Sequence, residues 1–279
     1  MTTTSRWRSV RTYLGVALIV VWGLAPFYWM VVTSLRDLQF TFDTTPWPTH
    51  VTLDNFRNAF DTSNDNHFGR SLLNSVFIGV VTTVVGLIVG VFCAYAMARL
   101  HFRGKNLILG FILAASMFPG VALVTPLFQL FTNIGWFGSY QAMIIPNISF
   151  VLPLTIYTLT AFFREMPWEL EEAARIDGAT KRQAFTKIML PLAAPGVVTT
   201  AILAFIASWN EFLIASQLSN KKTEPVTVAI ANFTGSQPHV EPYTAIMAAG
   251  TIVTIPLILM VLAFQRRIVD GLTAGGVKG

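Results

Sequence analysis

Apolar positions gather into six long blocks, roughly Tyr13–Ser34, Ser71–Ala98, Leu107–Leu130, Gln141–Phe163, Gly196–Leu218 and Tyr243–Phe264. Each block is long enough to cross the hydrocarbon layer of a bilayer, which takes about 20 apolar residues in a helix. The blocks do not alternate: Val84-Val85-Gly86-Leu87-Ile88-Val89 is apolar throughout, whereas a porin-like strand would show about ten residues of alternating polarity. The pattern predicts an all-α integral membrane protein with six transmembrane helices. The membrane domain runs over 13–268, between an N-terminal tail 1–12 and a C-terminal tail 269–279.

Two polar stretches between the blocks are long, 35–70 and 164–195; 131–140 and 219–242 are shorter. The first carries Pro46-Trp47-Pro48, which stops helix. Leu53, Phe56 and Phe60 then follow at spacings of three and four, which predicts a short amphipathic helix capping the outer mouth. Pro26, Pro119 with Gly120, Pro126, Pro146, Pro153 and Pro256 fall inside the blocks and predict kinks. Such breaks suit a path that opens and closes, because a wet cavity or neighbouring helices can satisfy the freed backbone groups. Proline is also simply commoner in membrane helices than in soluble ones.

Composition sharpens this picture. The 279 residues are 53% hydrophobic and 12% charged, while a soluble domain carries about a quarter of its residues as charges. The net charge of +5 would suit nucleic acid were the basic residues not sorted by loop. Arg6, Arg8, Arg11, Arg99, Arg103, Lys105, the five between Arg164 and Lys187, Arg266, Arg267 and Lys278 lie on one side. Arg36, Arg57, Arg70, Lys221 and Lys222 lie on the other, beside Asp37, Asp43, Asp54, Asp61 and Asp65. The positive-inside rule then places both termini and 164–195 in the cytoplasm, and 35–70, 131–140 and 219–242 outside. The charge reports orientation, and no nucleic-acid partner is expected. The first block is longer than a secretory signal's apolar core and lacks a cleavage site, so it is expected to be retained. The lone Cys93 excludes an intramolecular disulfide and a cysteine metal cluster. His50, His67, His101 and His239 lie in loops without metal-ligand spacing.

The stretch 164–195 spells two short helices. Pro167 suits a first turn, and Glu169, Glu171 and Glu172 place negative charge where the helix dipole is positive. Gly178 supplies a left-handed stop, Thr180 with Gln183 forms a capping box for a second helix, and Pro191 is expected to end it. A rigid helix-turn-helix fits a cleft on another protein and transmits a rigid-body push. The same composition also suits an interfacial helix on lipid headgroups or a DNA-binding helix-turn-helix.

The frame Glu172-Ala173-Ala174, then Gly178, then Ile188-Met189-Leu190-Pro191 resembles the EAA loop of ABC importer permeases. Asn74-Ser75, Trp209-Asn210-Glu211-Phe212-Leu213 and the tail from Gln265 to Gly279 are similar to the carbohydrate-importing, maltose-permease-like branch. Within that branch the chain is similar to permease subunits of actinobacterial trehalose importers. The resemblance implies a non-catalytic subunit of the bacterial inner membrane that forms half of a path for a sugar such as a disaccharide. It implies four kinds of partner: the lipid bilayer, a second permease, two ATP-binding subunits and an extracytoplasmic sugar-binding protein or lipoprotein. It assigns Glu172, Ala173, Ala174, Asp177, Gly178, Ile188, Leu190 and Pro191 to coupling with an ATPase subunit, and Lys278 to a contact between the tail and the ATPase pair.

No GxxxxGK[S/T] phosphate loop occurs, so ATP and Mg are expected to be bound by partner subunits, with no cofactor in this chain. Glu211 is the single formal charge inside the blocks, and such a charge faces protein or water and not lipid. With Asn210, Trp209 and Asn147 it is a candidate for sugar contact, since hydroxyls need donors, acceptors and an aromatic face. Polar residues of this kind also join helices to one another. The alternative function is an ion-coupled sugar transporter in which Glu211 binds the ion; several buried carboxylates and inverted repeats, usual there, are not evident.

Overall fold

The computed structural model describes the backbone of residues 3–62, 65–233 and 242–274, with side chains over 9–62, 65–233 and 242–265. Among these residues the regular structure is helical, apart from an isolated bridge between Arg36 and Val51. It divides into two compact units, 1–68 with 230–256, and 69–229 with 257–279.

The first unit holds α1 (Thr3–Ser34), α2 (Asp54–Ala59) and the first part of α13 (Tyr243–Ala274). Pro26 and Pro256 lie inside α1 and α13 without ending them. The loop after α1 folds around Arg36, which is fully buried. Its guanidinium donates to the carbonyls of Asp43 and Thr45 and stands 5.0 Å over the Trp29 ring. The amide and then the hydroxyl of Thr45 hold the Asp43 carboxyl below the ordinary range.

The helix expected from Leu53, Phe56 and Phe60 forms, but it turns a different face inward. Leu53 and Phe60 are exposed, while Asn55 and Ala59 are buried. Asn55 Nδ2 donates to the carbonyls of Ser34 (2.9 Å) and Arg36 (2.6 Å). The polar side chain thus terminates α1, whose last carbonyls lack intrahelical partners. Periodicity found the helix, and this hydrogen-bond demand chose its face.

The second unit contains most of α3 (Phe68–Arg99), then α4 (Lys105–Ser116), α5 (Gly120–Asn133), α6 (Tyr140–Glu165), α7 (Glu169–Ile176) and α8 (Lys181–Ala184). A π-helical turn, Phe185–Met189, joins α8 to α9 (Leu190–Leu192), and α10 (Ala194–Trp209), α11 (Leu213–Leu218) and α12 (Val226–Ala231) follow.

Among the described residues four helices are long and apolar enough to cross a membrane, or six if each of two bent pairs makes one crossing. The third expected span is one such pair: α4 and α5 meet at 88° where Pro119 precedes α5. The fifth expected span is also not one helix. It bends by 69° from the preceding coil at Ala193 and breaks again at Asn210–Phe212. Pro146 and Pro153, by contrast, lie inside an unbroken α6.

Candidate functional site

Two sites carry the polar chemistry of the second unit, the helix-turn-helix after α6 and the break after α10. In the first, Pro167 falls just before the Trp168 cap of α7, a little ahead of the first turn expected for it. The Trp168 carbonyl accepts from the amides of Glu171 and Glu172. At the other end Gly178 adopts φ +87°, its amide donates to Arg175, and the Ala179 amide donates to Ala174 at 2.9 Å. This pair of reversed bonds, with glycine in the left-handed position, satisfies the last carbonyls of the helix. The capping box forms as expected: the Gln183 amide donates to Thr180 Oγ1 (3.3 Å), and the Thr180 amide to Gln183 Oε1 (2.8 Å).

Pro191 behaves differently from the expectation. It sits inside α9, and the coil continues to Leu192 before bending at Ala193. A proline here has no amide to give and its ring crowds the carbonyl four residues back. The turn before it widens into the π form, with the Leu190 amide donating to Phe185, which makes room for the ring.

The helix-turn-helix is anchored from beneath. Phe185, Met189 and Ala193 are buried against Val91, Ala94 and Ala98 of α3 and Leu159 and Phe163 of α6. The Phe185 ring lies 4.6 Å from Tyr95 and 6.4 Å from Phe163. Polar groups complete the joint: Tyr95 Oη donates to Glu171 Oε1 at 2.8 Å, and Arg99 Nη2 to the Met166 carbonyl at 2.7 Å. Arg99 also lies 4.5 Å over the Trp168 ring.

Of the residues expected to couple, Glu172, Ala173, Asp177, Gly178 and Pro191 are exposed, Ile188 and Leu190 are half-buried, and Ala174 is buried. Ala174 therefore packs the knob internally, while Glu172, Ala173 and Asp177 present an outer surface together with Ile176, which is 86% exposed. An apolar side chain left so far in water on a short helix was visible in the sequence but not singled out. Tyr95, Arg99 and Phe185 were also missed, because their role depends on contacts far apart in the chain. Lys278 lies outside the described residues.

At the second site Glu211 sits in the break. Its Oε1 accepts from the Ile214 amide (2.6 Å) and its Oε2 from the Ala215 amide (3.0 Å). The carboxylate thus occupies the positive start of α11, where orphan amides need an acceptor. Thr227 Oγ1 donates to the Glu211 carbonyl at 2.8 Å. Ile214 and Leu218 pack with Phe131 and Ala142, and Ala215 with Ile78, Met143 and Val228, so α11 is fixed against α3, α5 and α6.

Asn147 and Glu211 share a narrow crevice with Ser75 and Ser208. It measures about 10 Å³, room for roughly one water, and is too small for a sugar ring. Asn210 is exposed and donates to the Ile206 carbonyl of its own helix, while Trp209 is 1% exposed and stacks on Phe205. The four residues singled out for sugar contact therefore separate into a crevice pair, an outward amide and a buried ring. The family-like Asn74-Ser75 pair has a structural task nearby. Asn74 Nδ2 donates to the carbonyls of Lys222 and Glu224, Tyr140 Oη donates to Asn74 Oδ1, and the Val226 amide donates to Ser75 Oγ.

The family described as "Binding-protein-dependent transport system inner membrane component" matches residues 86–273. The chain belongs to this family. It is a multi-pass inner membrane protein, the non-catalytic permease subunit of an ABC importer. Over 271 residues the permease is 49% identical to the trehalose transport system permease protein SugB of Mycobacterium tuberculosis, covering 96% of this chain and 98% of that one. It is 39% identical over 268 residues to the trehalose/maltose transport system permease protein MalG of Thermococcus litoralis, covering 95% of each. The crystal structure of a bacterial ABC transporter involved in import of the acidic polysaccharide alginate has the same fold, with a TM-score of 0.78 at 22% identity over 95% of the permease and 98% of that chain.

Proposed function

We propose that the permease forms half of a translocation path for a sugar, trehalose or a similar disaccharide, and that the helix-turn-helix 164–195 delivers the driving motion. The second permease, the two ATP-binding subunits and the extracytoplasmic sugar-binding protein complete the importer. Both termini and the helix-turn-helix face the cytoplasm, in keeping with the distribution of basic residues. The C-terminal tail with Lys278 adds a second contact to the ATPase pair. The sugar is supported by the transport named for the two relatives, both of which cover nearly the whole permease.

The observation that carries the mechanism is the buried joint of Phe185, Met189 and Ala193 with α3 and α6. A push on Glu172, Ala173, Ile176 and Asp177 reaches two membrane helices through packed side chains, and packed interiors transmit strain instead of absorbing it. ATP binding closes the ATPase pair, the docked helices move, and the cavity turns outward to receive sugar. Hydrolysis resets it. An ion-coupled carrier would ask Glu211 to bind a cation, whereas its carboxylate already has a structural task as acceptor for two backbone amides.

The test is uptake by the complete importer in proteoliposomes, with the binding protein and trehalose or maltose outside. ATP without an ion gradient should drive accumulation. Uptake driven by a gradient without ATP would overturn the mechanism, and mass spectrometry of the ligand on the co-purified binding protein would identify the sugar.

A further inference from the structure

A groove of the second unit borders the coupling surface just described and shares Glu172 with it. It runs from Phe92 in α3 past Tyr95 and Arg99 to Leu100, His101 and Phe102, and is closed by Trp168, Arg175, Lys181, Arg182 and Phe185, with a volume of about 840 Å³. Its lining changes along its length. Phe92 (60% exposed), Leu100 (45%) and Phe102 (38%) expose apolar surface at the end of a membrane helix, and Arg175, Lys181 and Arg182 stand on the helix-turn-helix beyond it.

Two further observations point to an anion. Arg99 is only 4% exposed, with Nη2 on the Met166 carbonyl and the guanidinium over Trp168, so it adds positive charge beneath the groove without opening onto it. Lys181 and Arg182, both exposed on the four-residue α8, stand with Arg175 along the groove, so three cations line it. Two carboxylates, Glu171 and Glu172, also line the groove; Glu171 Oε1 accepts from Tyr95 while Oε2 is buried without a partner, and the three exposed cations outnumber the pair.

We propose that this groove binds an anionic phospholipid of the cytoplasmic leaflet, with the phosphate on Arg175, Lys181 and Arg182, and an acyl chain along Phe92, Leu100 and Phe102. The apolar-to-basic gradient matches a lipid, whereas a soluble anion would leave the apolar half unused and an acidic protein surface would leave Phe92 against hydrocarbon. Basic pockets beside membrane helices on the cytoplasmic side recognise headgroups in this way. The site rests on the cytoplasmic orientation proposed above. Bound lipid would wedge between α3 and the helix-turn-helix and tie coupling to the composition of the leaflet.

The experiment uses the whole importer in nanodiscs of phosphatidylcholine with phosphatidylglycerol. Retained lipid is read by native mass spectrometry, and ATPase stimulation is read on the same samples. The wild type should retain phosphatidylglycerol after delipidation. Lys181→Gln with Arg182→Gln, which removes cations from a helix start and should not impair folding, should weaken retention by on the order of fivefold for each charge lost. Equal retention by the variant would overturn the proposal. So would displacement of the lipid by glycerol phosphate, or protection of the groove by the ATPase subunit in pure phosphatidylcholine. Lost lipid with intact ATPase stimulation would support the site while showing it to be separate from coupling. Intact lipid in the Lys181→Gln, Arg182→Gln variant with lost stimulation would overturn the site and leave the coupling role standing.

Discussion

The start and the end of α10 are both interruptions of a membrane helix, made by different means. At the start, the chain turns by 69° at Ala193 between Pro191 and Pro195, over a buried seat of Phe163, Phe185 and Met189. At the end, Asn210–Phe212 interrupt the helix without a proline, and Glu211 caps the next turn. The first joint is a bend flanked by two prolines and packed against α3 and α6, and it suits a lever. The second is held by the Glu211 carboxylate on two amides and by the packing of α11 on α3, α5 and α6, with Asn147, Ser75 and Ser208 around a crevice of about 10 Å³. In the proposed mechanism force enters at the first, stiff joint and is spent at the second, soft only in having no proline.

The comparison can be broken most severely at Gly178. Gly178→Leu puts a side chain at φ +87°, where it costs about 1–2 kcal/mol and misdirects α8. The variant should insert normally and lose ATP-driven uptake together with stimulation of the ATPase. Next in size is Phe185→Ala, which leaves a hole between Tyr95 and Phe163 and should destabilise the joint by about 3 kcal/mol. It should lower the detergent melting temperature and let ATP hydrolysis run without transport.

At the soft joint, Glu211→Ala strands two amides at a cost of about 1–3 kcal/mol. Glu211→Gln keeps one acceptor and should retain ATP-driven uptake close to wild type. Loss of uptake in the glutamine variant at unchanged stability would make the charge itself essential and reverse the structural account of this residue. The smallest effect is expected from Tyr95→Phe, which removes one hydrogen bond to the Glu171 carboxylate, about 1.5 kcal/mol. The ratio of ATP hydrolysed to sugar moved should rise with only a small loss of thermal stability.

The turn above the stiff joint was legible in the sequence, because Gly178 and the Thr180–Gln183 pair act within a few residues of themselves, while the coil running past Pro191 to Ala193 was not. What escaped was its seat: Tyr95, Arg99 and Phe185 meet only after α3, α6 and the helix-turn-helix have packed. The soft joint was half legible. The cost of a charge in a membrane singled out Glu211, but its partners are amides of the following turn, and no residue pattern announces a helix that stops at Asn210. The same demand for backbone partners explains the outer loop, where Asn55 and not the apolar face of α2 closes the end of α1.

Labelling of Ile176→Cys in membranes, with the lone native Cys93 as the internal reference, tests the central claim most directly. A membrane-impermeant maleimide applied from the cytoplasmic face should modify the new thiol in the permease pair alone and fail to do so once the ATP-binding subunits are assembled. Modification from the outer face, or equal modification with and without those subunits, would contradict the assignment of this helix as the point where force enters.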